Sequence, residues 1–164
     1  LQRLDPFTLY VAPSHDELSA EGHLYMDDGQ TFAYRDDQAF LARKFTLTRD
    51  GPGHLRLAST SLTGRDIHTS ASSTALQVPG NAYEQETSSV RVERIIVYGL
   101  PEVHRIIARD AHGHETSLSF TYTSGTSRSP TASDASARLA SRLEIRDPRV
   151  LIGQDWSILM EIAP

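Results

Sequence analysis

Few residues in this chain have the types and spacing that chemistry requires. Asp27 and Asp28 are adjacent carboxylates, and paired carboxylates do acid–base work in glycoside hydrolysis. That work needs both groups facing one sugar at about 5–10 Å from each other. Successive residues of a strand point to opposite faces, so neighbours rarely converge on one atom. With Gly29 following, the pair reads better as a turn in which the aspartates accept bonds from turn amides. A calcium site here would need further oxygen ligands that the sequence does not identify.

His112-Gly113-His114 has the best metal-ligand spacing, since alternate residues of a strand can present two imidazoles on one face. Asp110-Ala111-His112-Gly113 also reads as a polar hairpin tip. With no cysteine and no plainly placed third ligand, zinc is disfavoured. Trp156 with Tyr10, Tyr25, Tyr34, Tyr83, Tyr98 and Tyr122 could build a sugar-stacking platform. Trp156, Ile158 and Met160 alternate onto one face, however, which favours a core position for the lone tryptophan. Gly-x-Ser-x-Gly is absent, and the serines concentrate in Ser/Thr-rich stretches unsuited to a rigid triad. No phosphate-cradling glycine loop precedes a helix. Asn81, the single asparagine, is followed by Ala82 and Tyr83, so no N-glycosylation acceptor is present. The expectation is a chain with no catalytic, cofactor-binding or metal-ligating residue, and no cofactor.

The elements that would hold these residues are strands, because period-2 alternation dominates and helical periodicity is scarce. Phe7 to Ala12 is a first strand, rich in aromatic and β-branched residues. Gly22 to Met26 and Thr31 to Tyr34 flank Asp28-Gly29 and predict a hairpin. A second hairpin joins Phe40–Thr48 to His54–Ala58 through Asp50-Gly51-Pro52-Gly53. Arg91 to Gly99 is the strongest strand signal. Val103–Arg109 and Thr116–Thr123 predict a third pair, and Leu139–Ile145 and Asp155–Ile162 close the chain. Short strands at turn-separated intervals predict an all-β fold, an antiparallel β-sandwich. Residues 1–164 are expected to form a single domain, with flexible Ser/Thr-rich insertions at 61–75 and 124–137.

The 164 residues suffice for one domain with a sizeable core. The formal net charge of -5 argues against nucleic-acid binding, which needs a basic excess to neutralise phosphates. No apolar run reaches the roughly 18 residues of a membrane-spanning helix. The absence of cysteine excludes disulfides and thiolate metal sites without locating the protein. The chain opens on Leu1 rather than Met, so it is expected to be a piece of a larger polypeptide.

Asp5-Pro6-Phe7-Thr8-Leu9-Tyr10-Val11-Ala12 is followed by Gly22-His23-Leu24-Tyr25-Met26-Asp27-Asp28-Gly29-Gln30-Thr31-Phe32-Ala33-Tyr34. Next come Leu41-Ala42-Arg43-Lys44-Phe45, Val92-Glu93-Arg94-Ile95-Ile96-Val97-Tyr98-Gly99 and Asp155-Trp156-Ser157-Ile158. In this order, the motifs resemble the distal C-terminal region of glycoside hydrolase family 31, in its endoplasmic-reticulum α-glucosidase II branch. The resemblance implies a noncatalytic C-terminal domain of a retaining α-glucosidase that trims α-1,3-linked glucose from N-glycans of new glycoproteins. It implies as partners a (β/α)₈ barrel bearing the catalytic aspartates, N-terminal to this region, and a noncatalytic β subunit. None of the family's catalytic positions maps onto residues 1–164. The implied location is the endoplasmic-reticulum lumen, with retention supplied by the β subunit, and Glu161-Ile162-Ala163-Pro164 is no retrieval tetrapeptide. Residues 1–12 are expected to be shared with, or to abut, a preceding domain. A carbohydrate-binding module and a free-standing interaction domain are the competing expectations, since a sandwich fold does not fix function.

Overall fold

The computed structural model describes residues 4–37, 39–62, 82–125 and 140–163, apart from the side chains of residues 82 and 84. Ten strands build two sheets: β1 (Phe7–Val11), β2 (Ala20–Met26), β3 (Leu41–Arg49), β4 (His54–Ser61), β5 (Val92–Tyr98), β6 (Val103–Arg109), β7 (Glu115–Ser117), β8 (Phe120–Thr123), β9 (Arg142–Arg146) and β10 (Trp156–Ile162). Among the described residues, two short helices, α1 (Ala33–Asp36) and α2 (Ala82–Glu86), accompany them. One sheet has the order β1-β5-β9-β8 and the other β2-β3-β4-β10-β6-β7. The all-β sandwich expected from the sequence is therefore the observed fold.

Alternation explains how the sheets close on each other. Along β10, Trp156, Ile158, Met160 and Ile162 are all buried, while Ser157, Leu159 and Glu161 are not. Leu55 and Leu57 of β4, Ile106 of β6, and Ile95, Val97, Leu143 and Ile145 of the facing sheet complete the core. Burying each such side chain contributes about 1.5–3 kcal/mol. The β3–β4 hairpin forms as expected, with Gly51 taking the positive φ of 89° that its turn requires.

Three expectations need correction. Among the described residues every ladder is antiparallel except β1 with β5, which run parallel in register Leu9–Ile95 and Val11–Val97. The expected hairpin across Asp28-Gly29 does not form. β2 pairs instead with β3, from Ala20–Leu47 to Met26–Leu41, and residues 33–36 wind into α1. The aromatic run there is too short to compete, because β3 supplies β2 with a full seven-residue ladder. Finally, Thr116–Thr123 is two strands rather than one. β7 pairs with β6, the chain crosses at Leu118, and β8 pairs with β9 in the other sheet. The insertions expected at 61–75 and 124–137 lie almost wholly outside the described residues. Among the described residues, no helix is long and apolar enough to cross a membrane.

Candidate functional site

Asp27 and Asp28 sit in the loop between β2 and α1, and their carboxylates serve the backbone. Asp27 Oδ1 accepts the Gly29 amide at 2.8 Å. Asp28 Oδ1 accepts the amides of Gln30 and Thr31, each at 3.0 Å, and its Oδ2 accepts the Thr31 hydroxyl. Carboxylates engaged in this way hold a turn, as expected, rather than a sugar.

The aromatic residues do not assemble around the tryptophan. Trp156 is 4% exposed, donates its indole N–H to the Leu151 carbonyl at 3.1 Å and packs on Phe45. Tyr83 is buried, and Tyr122 is half-buried with its hydroxyl on the Leu100 carbonyl. Tyr10 is exposed on β1, in the four-stranded sheet. Tyr25 and Tyr34 are exposed at the far end of β2 and on α1, together with Phe32. Tyr25 stacks on Phe40 with centroids 5.5 Å apart, and Phe32 lies 6.3 Å from Tyr34 beneath the Arg35 guanidinium. Partial burial raises the Tyr25 phenol above the ordinary tyrosine range, with the Asp27 charge and the nearby Tyr34 adding to it. An apolar aromatic group thus stands on the surface at the β2–α1 end.

The β6–β7 hairpin carries the histidine pair. Asp110 Oδ1 accepts the amides of His112 and His114 at 2.8 and 2.9 Å, and Gly113 turns the chain at φ 84°. Asp110 Oδ2 lies 3.2 Å from His114 Nδ1, and the two imidazole centroids are 6.1 Å apart. The His114 amide bond, with help from that of His112, holds the Asp110 carboxyl below its ordinary range against the opposing effect of burial. One donor atom from each of Asp110, His112 and His114 lies within 4.8 Å of the others. The sequence alone places no third donor beside the histidines, and the folded loop brings the Asp110 carboxylate to them. The signal was the Asp-x-His-x-His spacing folded back over a tight loop.

Two buried charges also stand inside the fold. Arg43 of β3 is 2% exposed, although it shares the core-facing phase of Leu41, Phe45 and Leu47. Its guanidinium reaches Ser59 Oγ at 3.0 and 3.2 Å, the carbonyls of Gly153 and Gln154 at 3.4 and 2.7 Å, and Asp155 Oδ1 at 2.6 Å. Asp155 also accepts the Ser61 amide at 3.0 Å. This one side chain ties β3 and β4 to the turn that launches β10. Glu144 of β9, on the outer face of the four-stranded sheet, is covered by Arg94, Arg142 and Arg146. Burial alone would raise its carboxyl, but the Arg146 bond and the charges of Arg142, Arg146 and Arg94 outweigh it and hold the group below its ordinary range. Both constellations are structural ties, with every charge on an internal partner.

A cleft of about 260 Å³ opens between the edge strands β1 and β2, lined by Phe7, Leu9, Val11, Leu24 and Phe45. Its lining is mainly apolar, and Glu21 and His23 join it from the exposed side of β2.

No protein-family model matches the chain. The human neutral α-glucosidase AB is 27% identical over 154 residues, covering 94% of this chain and 12% of that protein. The Glucosidase 2 subunit alpha of Schizosaccharomyces pombe is 33% identical over 99 residues, covering 60% of this chain and 9% of that protein. Among solved structures, a glucosidase II α subunit bound to Glc1Man2 shares the fold with a TM-score of 0.69 over 96% of this chain and 15% of its own, at 23% identity. A second, DNJ-bound structure of a glucosidase II α subunit gives a TM-score of 0.67 at 25% identity, again over 96% of this chain and 15% of that one. The chain thus spans about an eighth of the length of the curated relatives that match it along 94% of its residues. Read with the ordered strand motifs, these matches show that the chain is similar, over nearly its whole length, to one segment of glucosidase II α subunits.

Proposed function

We propose that the chain is the noncatalytic C-terminal sandwich domain of an α-glucosidase II-like enzyme, and that it stabilises the enzyme's catalytic barrel. The whole enzyme would remove α-1,3-linked glucose from N-glycans of new glycoproteins, with retention of configuration, in the endoplasmic-reticulum lumen. A noncatalytic β subunit would accompany it. Residues 1–164 form one domain on this reading, with residues 1–12 shared with, or abutting, the domain before it.

One observation carries the proposal: the match covers 94% of this chain but only 12% of the relative. The carboxylates Asp27 and Asp28, which fall in the motif most like the family, are engaged by turn amides, which supports a supporting rather than a chemical role. The exposed Tyr25, Phe32 and Tyr34 supply the kind of aromatic surface on which another domain can pack.

Deleting this region from the full-length polypeptide tests the reading. The expected result is a remainder that melts at lower temperature and loses α-glucosidase activity on mild warming. A deletion variant with unchanged melting and unchanged activity would overturn it.

A further inference from the structure

The donor set on the β6–β7 hairpin points beyond the supporting role. We infer that Asp110, His112 and His114 bind one divalent transition-metal ion of the zinc class, through two imidazoles and one carboxylate. Zinc takes imidazole nitrogen at about 2.0–2.1 Å and carboxylate oxygen at about 2.0–2.2 Å, which sets a tetrahedral donor–donor edge of about 3.3 Å. Asp110 Oδ2 and His114 Nδ1, joined in a hydrogen bond, are 3.2 Å apart. They stand at the spacing that two ligands of one zinc ion adopt.

The third donor is near at hand. All three ligand atoms fall within 4.8 Å of one another, and His112 and His114 are both exposed. His112, exposed on the loop, is the donor that metal binding would draw toward the other two. The carboxylate is fixed beforehand: Asp110 Oδ1 is held by the His112 and His114 amides, and Oδ2 lies beside His114 Nδ1. Bonds that orient a ligand in this way strengthen a metal site. The neighbouring charges do not obstruct it, because Arg109 is paired with Glu115 at 2.5 Å. Two nitrogens and one oxygen suit zinc, copper or nickel over calcium or magnesium, which prefer all-oxygen shells. A water would supply the fourth ligand.

Calorimetric titration of the untagged protein with zinc chloride tests the assignment. Wild type is expected to bind one zinc per chain, and His112→Gln and His114→Gln are each expected to weaken it at least tenfold. His104→Gln, which alters an exposed histidine on the same β6 strand, should leave the affinity unchanged. Excess magnesium should not compete. Circular dichroism of each variant checks that the hairpin substitutions leave the fold intact. No saturable binding up to zinc on the order of 1 mM, or undiminished binding in the double variant His112→Gln/His114→Gln, overturns the inference. The readout is metal binding and is independent of α-glucosidase activity, so its failure would leave the domain's supporting role standing.

Discussion

Replacing Arg43 with alanine should be among the most damaging single changes available in this domain. The guanidinium is 2% exposed, and five hydrogen bonds run from it to Ser59, Gly153, Gln154 and Asp155. Truncation removes the donor from two backbone carbonyls and a buried hydroxyl, and each such group left without a partner costs about 1–3 kcal/mol. A cavity follows, because Arg43 is packed between Leu41 and Phe45 on the core-facing side of β3. Asp155 contributes less to the loss, since its carboxylate is 63% exposed and can be rehydrated. The expected total is about 3–5 kcal/mol, the range for breaking one side of a buried charged network. For a domain of this size that lowers the melting temperature by roughly 10 °C. Urea unfolding followed by Trp156 fluorescence is a direct assay, because that ring lies one residue from Asp155 and is itself buried. Asp155→Asn keeps an acceptor and should cost only about 1–2 kcal/mol. A loss below about 1 kcal/mol for Arg43→Ala, or a larger loss for Asp155→Asn, would refute the view that Arg43 is the tie between β3, β4 and the start of β10.

The remaining predictions concern the acid limb, the core and the aspartate turn. The native Glu144 carboxyl titrates below its unfolded value, so its stabilising effect is present above the unfolded pKa and is lost as pH falls through the folded one. Glu144→Gln should therefore melt below wild type at neutral pH and converge with it in acid, as thermal scans across that range would record. Ile158→Ala, at a fully buried position of β10, should cost about 2–5 kcal/mol in urea unfolding. Asp28→Ala removes the acceptor of two turn amides and a hydroxyl and should cost about 1–2 kcal/mol. In the full-length polypeptide the same change should leave kcat for an α-glucoside near wild type at a temperature where the protein stays folded. A kcat loss of a hundredfold or more would mean that Asp28 does chemistry.

How far the sequence reveals this fold depends on whether a residue's role is local. β10 and β4 are legible because alternation separates Trp156, Ile158 and Met160 from their neighbours, and β5 because Ile95-Ile96-Val97 is a continuous buried apolar run. The β3–β4 turn is legible because Asp50-Gly51-Pro52-Gly53 specifies its own conformation. The parallel β1–β5 pairing is not, since nothing in Phe7–Val11 names a partner some 80 residues away. The crossing at Leu118 is hidden because alternation runs unbroken from β7 into β8. Phe32 and Tyr34 mislead because aromatic residues favour strands, while the ladder they would have formed is taken by β3. Arg43 was visible in part: it occupies an apolar phase, and a charge there implies a buried partner set. Glu144 gave no such sign, because its burial comes from three arginines rather than from the sheet's core face. Asp110 reads as part of a hairpin tip, and only the folded loop shows its second oxygen beside His114.

Central to the proposed function is that these residues form part of an α-glucosidase without performing its chemistry. Hydrolysis of a chromogenic α-glucoside, measured side by side for the 164-residue chain and for the full-length polypeptide that contains it, tests this directly. The account predicts steady hydrolysis by the full-length protein and none above background by the chain alone. Turnover by the isolated chain, or an inactive full-length protein that is folded and intact by mass, would contradict it.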